Sequence, residues 1–271
     1  MLSLSIGPFA LSIVHMLLIA ALGLATLVGW LTSRRSGANP ESVLFGLFLL
    51  GLVAARAGFV IQYWAQYRPQ PWQVLDIRDG GFLVWPGVLV VILGGLLMAR
   101  RGQELRRPLG LGAGSGLLFW LLANLALNSY QQGVSLPEIT LRNAAGESVQ
   151  LADYQGRPLV INLWATWCPP CRREMPVLQA AQDERDDVVF LFVNQAESPQ
   201  AVEKFLTAQG LRLSNNLFDG TGQLAQQVGS MALPTTVFYS AEGRLIGSHL
   251  GELSRASLTG YLDSFNNETR P

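Results

Sequence analysis

Four long apolar stretches fill the first half of the chain, and the second half has none. They run from about Pro8 to Leu31, Val43 to Trp64, Gly81 to Met98 and Leu109 to Leu127. As helices, each has the length to cross a bilayer core of about 30 Å, the last two by a narrow margin. A backbone in lipid must satisfy its own hydrogen bonds, so such runs are expected as transmembrane helices. A signal peptide is a poor reading of the first. It has no basic segment before it and no clear small-residue cleavage site, and more apolar runs follow. Only 14% of the chain is charged, against about 25% in globular proteins, and the deficit lies before about residue 130. The expected division is a transmembrane domain over 1–127, a polar linker over 128–136 and a second domain over 137–271.

The arginines orient the helices. Arg34 and Arg35 lie between the first two stretches, and Arg100, Arg101, Arg106 and Arg107 between the last two. The positive-inside rule puts both loops in the cytoplasm. The start of the chain, the 65–80 loop and everything after about residue 128 then face outward. In a bacterium this predicts a multi-pass inner-membrane protein whose C-terminal domain lies in the periplasm. Trp72 and Trp85 flank the outer loop and suit an interfacial belt or ordinary packing. Arg56 sits inside the second stretch, where a charge costs about 2.5–3.5 kcal/mol on insertion scales. It should face the bundle interior, a partner or lipid headgroups. A net charge of zero and the lack of a basic stripe give no sign of a nucleic-acid partner.

Three segments of this half, Ile6-Gly7-Pro8-Phe9-Ala10, Ala55-Arg56-Ala57-Gly58-Phe59-Val60 and Asp79-Gly80-Gly81-Phe82, resemble in order the prolipoprotein diacylglyceryl transferase family. The resemblance is patchy over roughly residues 5–100. That family has a histidine shortly after the Gly-Gly pair, where this chain reads Leu83-Val84-Trp85-Pro86-Gly87. The resemblance therefore implies a degenerate relative, an anchor or docking platform without transferase activity.

The second half alternates strand and helix patterns. Ile139 to Leu151 reads as a β-hairpin around an Asn-x-x-Gly turn. Pro158 to Trp164 is an apolar run of strand length, and Met175, Val177, Leu178 and Ala181 mark a helix after it. Val188–Val193 is another buried strand. Residues 199–209 and 224–228 read as helical, Thr235–Tyr239 and Leu245–Leu250 as strands, and Leu258–Phe265 as a closing helix.

The chain has two cysteines, both in Cys168-Pro169-Pro170-Cys171. That excludes a disulfide scaffold and a four-cysteine zinc site. Neither of the two histidines, His15 and His249, follows the tetrapeptide, so a c-type haem attachment motif is absent; His249 reads as a strand histidine. A Cys-x-x-Cys pair at a strand-to-helix junction sets its first cysteine at a helix N-terminus. Free N–H groups and the macrodipole there favour a thiolate. The second cysteine, one turn on, can attack a mixed disulfide formed by the first. Such exchange needs no metal or organic cofactor beyond the redox-active Cys168–Cys171 disulfide. Two prolines are tolerated in a first helical turn and stiffen it.

Trp164-Ala-Thr-Trp-Cys-Pro-Pro-Cys-Arg-Arg-Glu-Met-Pro176 resembles the active-site segment of the TlpA, ResA and DsbE branch of the thioredoxin superfamily. The likeness covers about residues 134–265. Leu151–Pro158 resembles the branch's segment before the active-site strand, and Met231–Thr236 its cis-proline loop. Residues 201–219 stand where the branch adds a helix–strand unit. The resemblance implies an α/β thioredoxin-like fold with an N-terminal β-hairpin and an inserted αβ unit. A cis bond before Pro234 would expose the Leu233 backbone for strand-like pairing with a substrate. Glu174 matches an acid that tunes Cys171 or relays a proton; the alternative is a solvated helix-face glutamate. Trp167 is expected to shield the disulfide and form part of the substrate surface, or simply to pack. Thioredoxin's buried aspartate is replaced by Asn162, which cannot act as a general base, so proton handling shifts to Glu174.

The leading expectation is a membrane-anchored, periplasmic thiol–disulfide interchange protein. It would reduce disulfides in clients such as apocytochrome c, a periplasmic isomerase or metallochaperone proteins. The membrane half has no cysteine, so a separate donor is implied, and the resemblance suggests a DsbD-like transmembrane reductase. The alternatives are a disulfide-introducing oxidase and a membrane scaffold with a vestigial redox domain.

Overall fold

The computed structural model describes residues 3–6, 9–34, 39–101 and 103–268. Gly7, Pro8 and Arg35 of the expectations above, and residues 269–271, lie outside the described residues. The chain forms two compact units. One contains Ile13–Ile77 and Gly81–Asn128, the other Met1–Ser12, Arg78–Gly80 and Ser129–Pro271.

The first unit is helical. Its elements are α1 (Ile13–Ser33), α2 (Glu41–Gln62), a single turn α3 (Trp64–Tyr67), α4 (Val84–Arg101) and α5, which starts at Gln103 and runs to Gln132. Helices α1, α2 and α5 are long and apolar enough to cross a membrane, and α4 is a shorter apolar helix. Leu49, Leu50, Val53 and Ile61 of α2 point outward from the unit, as side chains in hydrocarbon do. Small residues let backbones touch where helices meet. A Cβ on Gly87 of α4 would stand 2.8 Å from the Gly51 carbonyl oxygen of α2.

Arg56 faces the interior of this unit and is buried. Its guanidinium donates to the carbonyls of Gln73, Val74, Asp76 and Gly81 at 2.8–3.2 Å. Tertiary structure thus supplies the acceptors that a buried guanidinium needs. The planar fork ties the segment after α3 to α2 at four carbonyls.

One expected boundary moves. Helix α1 begins at Ile13, and Phe9–Ser12 instead forms strand β2, antiparallel to β1 (Ser3–Ile6). Ser3-Leu4-Ser5-Ile6 alternates polar and apolar, a period of two that suits a strand.

The second unit is built on a seven-stranded sheet. Its strands are β3 (Thr140–Asn143), β4 (Ser148–Gln150), β5 (Leu159–Trp164), β6 (Val189–Gln195), β7 (Asn216–Asp219), β8 (Thr235–Tyr239) and β9 (Leu245–Leu250), in the spatial order β4-β3-β7-β6-β5-β8-β9. β5, β6 and β7 run parallel, while β8, β9 and the β3–β4 hairpin are antiparallel to their neighbours. The helices are α6 (Pro169–Glu184), α7 (Pro199–Gln209), α8 (Gln223–Gln227) and α9 (Arg255–Glu268).

β5 and β8 are buried at every residue, as central strands covered on both faces should be. Alternate residues of β5 feed two cores. Val160 and Trp164 join Met175, Leu178, Leu258 and Leu262 on one face. Ile161 and Leu163 join Leu141, Leu217 and Leu224 on the other. Helix α7 and β7 are the inserted helix–strand unit, and the leading hairpin extends the sheet by pairing β3 with β7.

Candidate functional site

Strand β5 ends at Trp164, and four residues later Cys168 caps α6. Pro169 and Pro170 occupy the first helical turn, where a missing N–H leaves nothing unsatisfied. Cys168 and Cys171 form a disulfide, their Cα atoms 5.3 Å apart. The Cys171 N–H points at Cys168 Sγ at 3.3 Å, so a helix N-terminal donor already faces the first sulfur. Cys168 is 4% exposed and Cys171 fully buried. Attack from outside can therefore reach the first sulfur and is blocked at the second. A thiolate at Cys168 would be stabilised by the helix N-terminus.

The surroundings are apolar. A groove of about 530 Å³ is lined by Trp167, Cys168, Ala196, Met231 and Leu233, among others. Trp167 is 67% exposed and Met231 65%. Large apolar side chains left in water beside a reactive group mark a binding surface more often than a packing accident. Leu233 precedes Pro234 through a cis peptide bond, and Pro234 leads into β8, whose Thr235 pairs with Leu163 of β5. The fold thus brings Trp167, Cys168, Cys171, Leu233 and Pro234 to one end of the sheet.

Glu174 is placed differently. It is not solvated: it is fully buried, on the inward stripe of α6 with Cys171, Met175 and Leu178. Asn162 Nδ2 donates to its Oε1 at 2.8 Å, and the Leu253 N–H to its Oε2 at 2.9 Å. Asn162 Nδ2 also donates to Thr236 Oγ1 at 2.9 Å. Burial pushes the Glu174 carboxyl up to about 8, against the pull of the Leu253 and Asn162 donors; nearby Glu252 pushes it further up. The acid therefore changes protonation near neutral pH inside the fold. Asn162 Oδ1 is buried with no hydrogen-bond partner among the described residues.

His249 is a residue of β9 with its ring edge-on to Tyr261. Among the described residues, no group of three or more His, Cys, Asp or Glu side chains could hold a metal ion.

Sequence reasoning missed several residues here. Glu197 reaches from the turn after β6 to the loop before Cys168, accepting from the Thr166 N–H at 2.7 Å and the Thr166 hydroxyl at 2.5 Å. Asp219 accepts from the N–H groups of Gln223, Leu224 and Ala225 and caps α8 beside the groove. The Asp219 cap had a local signal, an acid ahead of a short helix. Glu197 had none.

Two family models match the chain. The Redoxin model matches residues 131–262, and the prolipoprotein diacylglyceryl transferase model matches residues 2–114. The thioredoxin-like protein YneN of Bacillus subtilis is 31% identical over 137 residues, covering 49% of this chain and 79% of YneN. The thiol-disulfide oxidoreductase ResA of Geobacillus thermodenitrificans is 31% identical over 134 residues, covering 49% of this chain and 76% of ResA. Among solved structures, StoA from Bacillus subtilis aligns at 24% identity with a TM-score of 0.41, covering 48% of this chain and 99% of StoA. With its Cys-x-x-Cys disulfide at the head of α6, the chain belongs to the thioredoxin-like thiol–disulfide oxidoreductases of the YneN and ResA kind, joined in one polypeptide to a prolipoprotein diacylglyceryl transferase-like N-terminal region.

Proposed function

We propose that this chain is a membrane-anchored, outward-facing reductant of disulfides in polypeptide clients, working through Cys168 and Cys171. The observation that carries this reading is the placement of Cys168. It heads α6, opens onto an apolar groove beside Leu233, and screens a fully buried Cys171.

In the reduced form the Cys168 thiolate attacks one sulfur of a client disulfide. A Cys168–client bond forms, and the other client sulfur leaves as a thiolate. Cys171 then loses its proton and attacks Cys168 Sγ. The Cys168–Cys171 disulfide closes, the second client thiolate leaves, and two electrons have passed to the client. Glu174, one turn beyond Cys171 on the buried face of α6, is the acid–base group assigned to the Cys171 proton. Trp167 and the Leu233–Pro234 segment hold the client chain against Cys168. Recharging the pair needs two electrons from elsewhere. The 271 residues contain no further cysteine, and the donor is assigned to the class of DsbD-like transmembrane reductases. The arginine pattern around the apolar helices supports an anchor in the bacterial inner membrane with the redox domain in the periplasm.

Trapping tests this reading. With Cys171→Ala, Cys168 should stay bonded to its client, and a mixed disulfide should accumulate in cells. It should be absent when Cys168→Ser is added. Failure to recover any such adduct would refute client reduction. The direction is read from the reduction potential. A value near that of thioredoxin, about −270 mV, supports a reductant, and one near about −120 mV makes the chain an oxidase.

A further inference from the structure

The β5–α6 loop carries Trp167 and Cys168, yet it makes few backbone hydrogen bonds of its own. The Cys168 N–H donates to Ala165 at 3.3 Å. Thr166 lies just past the last β5–β6 pair, Trp164 with Asn194. Its N–H has left the ladder and needs an acceptor. Glu197 supplies one and takes the hydroxyl too, one carboxylate oxygen on each.

The carboxylate is itself held. Asn194 Nδ2 donates to Glu197 Oε2 at 2.8 Å, and the Glu197 N–H donates back to Asn194 Oδ1 at 3.3 Å. Between them Ala196 sits at φ 60°, a left-handed conformation rarely adopted by an alanine. Backbone strain of this kind persists where surrounding contacts impose it, and it clusters at functional sites. Ala196 and Trp167 both line the groove at Cys168. Glu197 therefore ties together two banks of that groove, the β5–α6 loop and the β6–α7 turn.

We propose that Glu197 is a positioning residue for thiol exchange. By gripping Thr166 at two points, it fixes Trp167 against Ala196 and so sets the shape of the groove into which a client polypeptide must fit. This rests on the reading that Cys168 attacks polypeptide disulfides. A large client uses the groove, whereas a small disulfide needs only the Cys168 sulfur. Losing the grip should therefore weaken client docking and spare the chemistry.

The test uses the reduced full-length chain in detergent, with insulin as the polypeptide disulfide and oxidised glutathione as the small one. Glu197→Ala should raise the half-saturating insulin concentration about tenfold, the scale of one lost charge-assisted hydrogen bond. The limiting rate and the glutathione rate should stay within about twofold, the signature of lost binding rather than lost chemistry. Glu197→Gln should restore insulin docking, because its amide can donate to the Thr166 hydroxyl while its carbonyl takes the N–H. Thr166→Val, combined with Glu197→Ala, should cost little more than Glu197→Ala alone. The inference is overturned if Glu197→Ala leaves insulin half-saturation unchanged, or slows glutathione and insulin in the same proportion. It is also overturned if Glu197→Gln behaves like Glu197→Ala. If the unaltered chain reduces glutathione but not insulin, the client reading itself fails, and the inference with it. Glu203→Gln, an exposed charge on α7, controls for net charge and should change nothing.

Discussion

Replacing Glu174 with Gln should stabilise the oxidised protein, and by an amount that depends on pH. Glu174 is fully buried and its carboxyl is raised from 4.5 to about 8, chiefly by loss of solvation. The folded state thus binds a proton that the unfolded state has already lost. The folded value is the higher one, so the stabilising contribution is complete below about pH 4.5 and is lost as pH rises to about 8. Three to four pH units at about 1.4 kcal/mol each put the loss at about 4–5 kcal/mol, an upper figure for a group able to relax. Glutamine has the same shape and no charge to lose. Its amide can also use the unpartnered Asn162 Oδ1 as an acceptor.

The two proteins should therefore be nearly equal at pH 4.5, with the variant ahead by a few kcal/mol at pH 8.5. The assay is pulse proteolysis in urea on the oxidised full-length chain in mild detergent, following the fragment that holds Trp164. Keeping the disulfide closed removes thiol titration from the comparison, and every other ionisable group cancels between the two proteins. The infrared carbonyl band lost in the variant gives the titration directly. A stability difference that stays flat from pH 4.5 to 8.5, or a band titrating near the ordinary value of about 4.3, would refute the argument. A variant that is more stable yet slower to resolve the mixed disulfide between Cys168 and a client would mark Glu174 as kept for chemistry at a cost to the fold.

Trp164→Ala should destabilise the same fragment by about 3–5 kcal/mol, because its side chain is fully buried and packs against Phe205; a loss under about 1 kcal/mol would mean that this core collapses around the gap. Arg56→Lys should make the segment after α3 more sensitive to protease in vesicles. A single ammonium cannot meet the four carbonyls that the guanidinium serves, and unchanged cleavage would show that the loop holds itself.

The long apolar helices and the cysteine pair were readable because one-dimensional properties define both. Length and apolarity mark a helix able to span, and Leu49, Leu50 and Val53 lie on the outside of α2. Apolarity alone was also misleading at Phe9–Ser12, which continues the apolar run of α1 and yet pairs as a strand with Ser3–Ile6. The burial of Glu174 was encoded locally as well. Cys171, Glu174, Met175 and Leu178 follow the i, i+3, i+4, i+7 stripe of one helix face, so a buried Cys171 takes Glu174 inside with it. Its partners could not be read the same way. Asn162 meets Glu174 only because β5 lies under α6, and the Leu253 N–H comes from 79 residues away. Glu197 is the extreme case: it grips Thr166 across 31 residues through a parallel strand register that no local pattern encodes. Helix spacing constrains which side chains share a face, and only the assembled sheet decides what that face will meet. At this site the cysteine pair is therefore written in four consecutive residues, while the groups around it are distributed over β5, β6, β8 and the approach to α9.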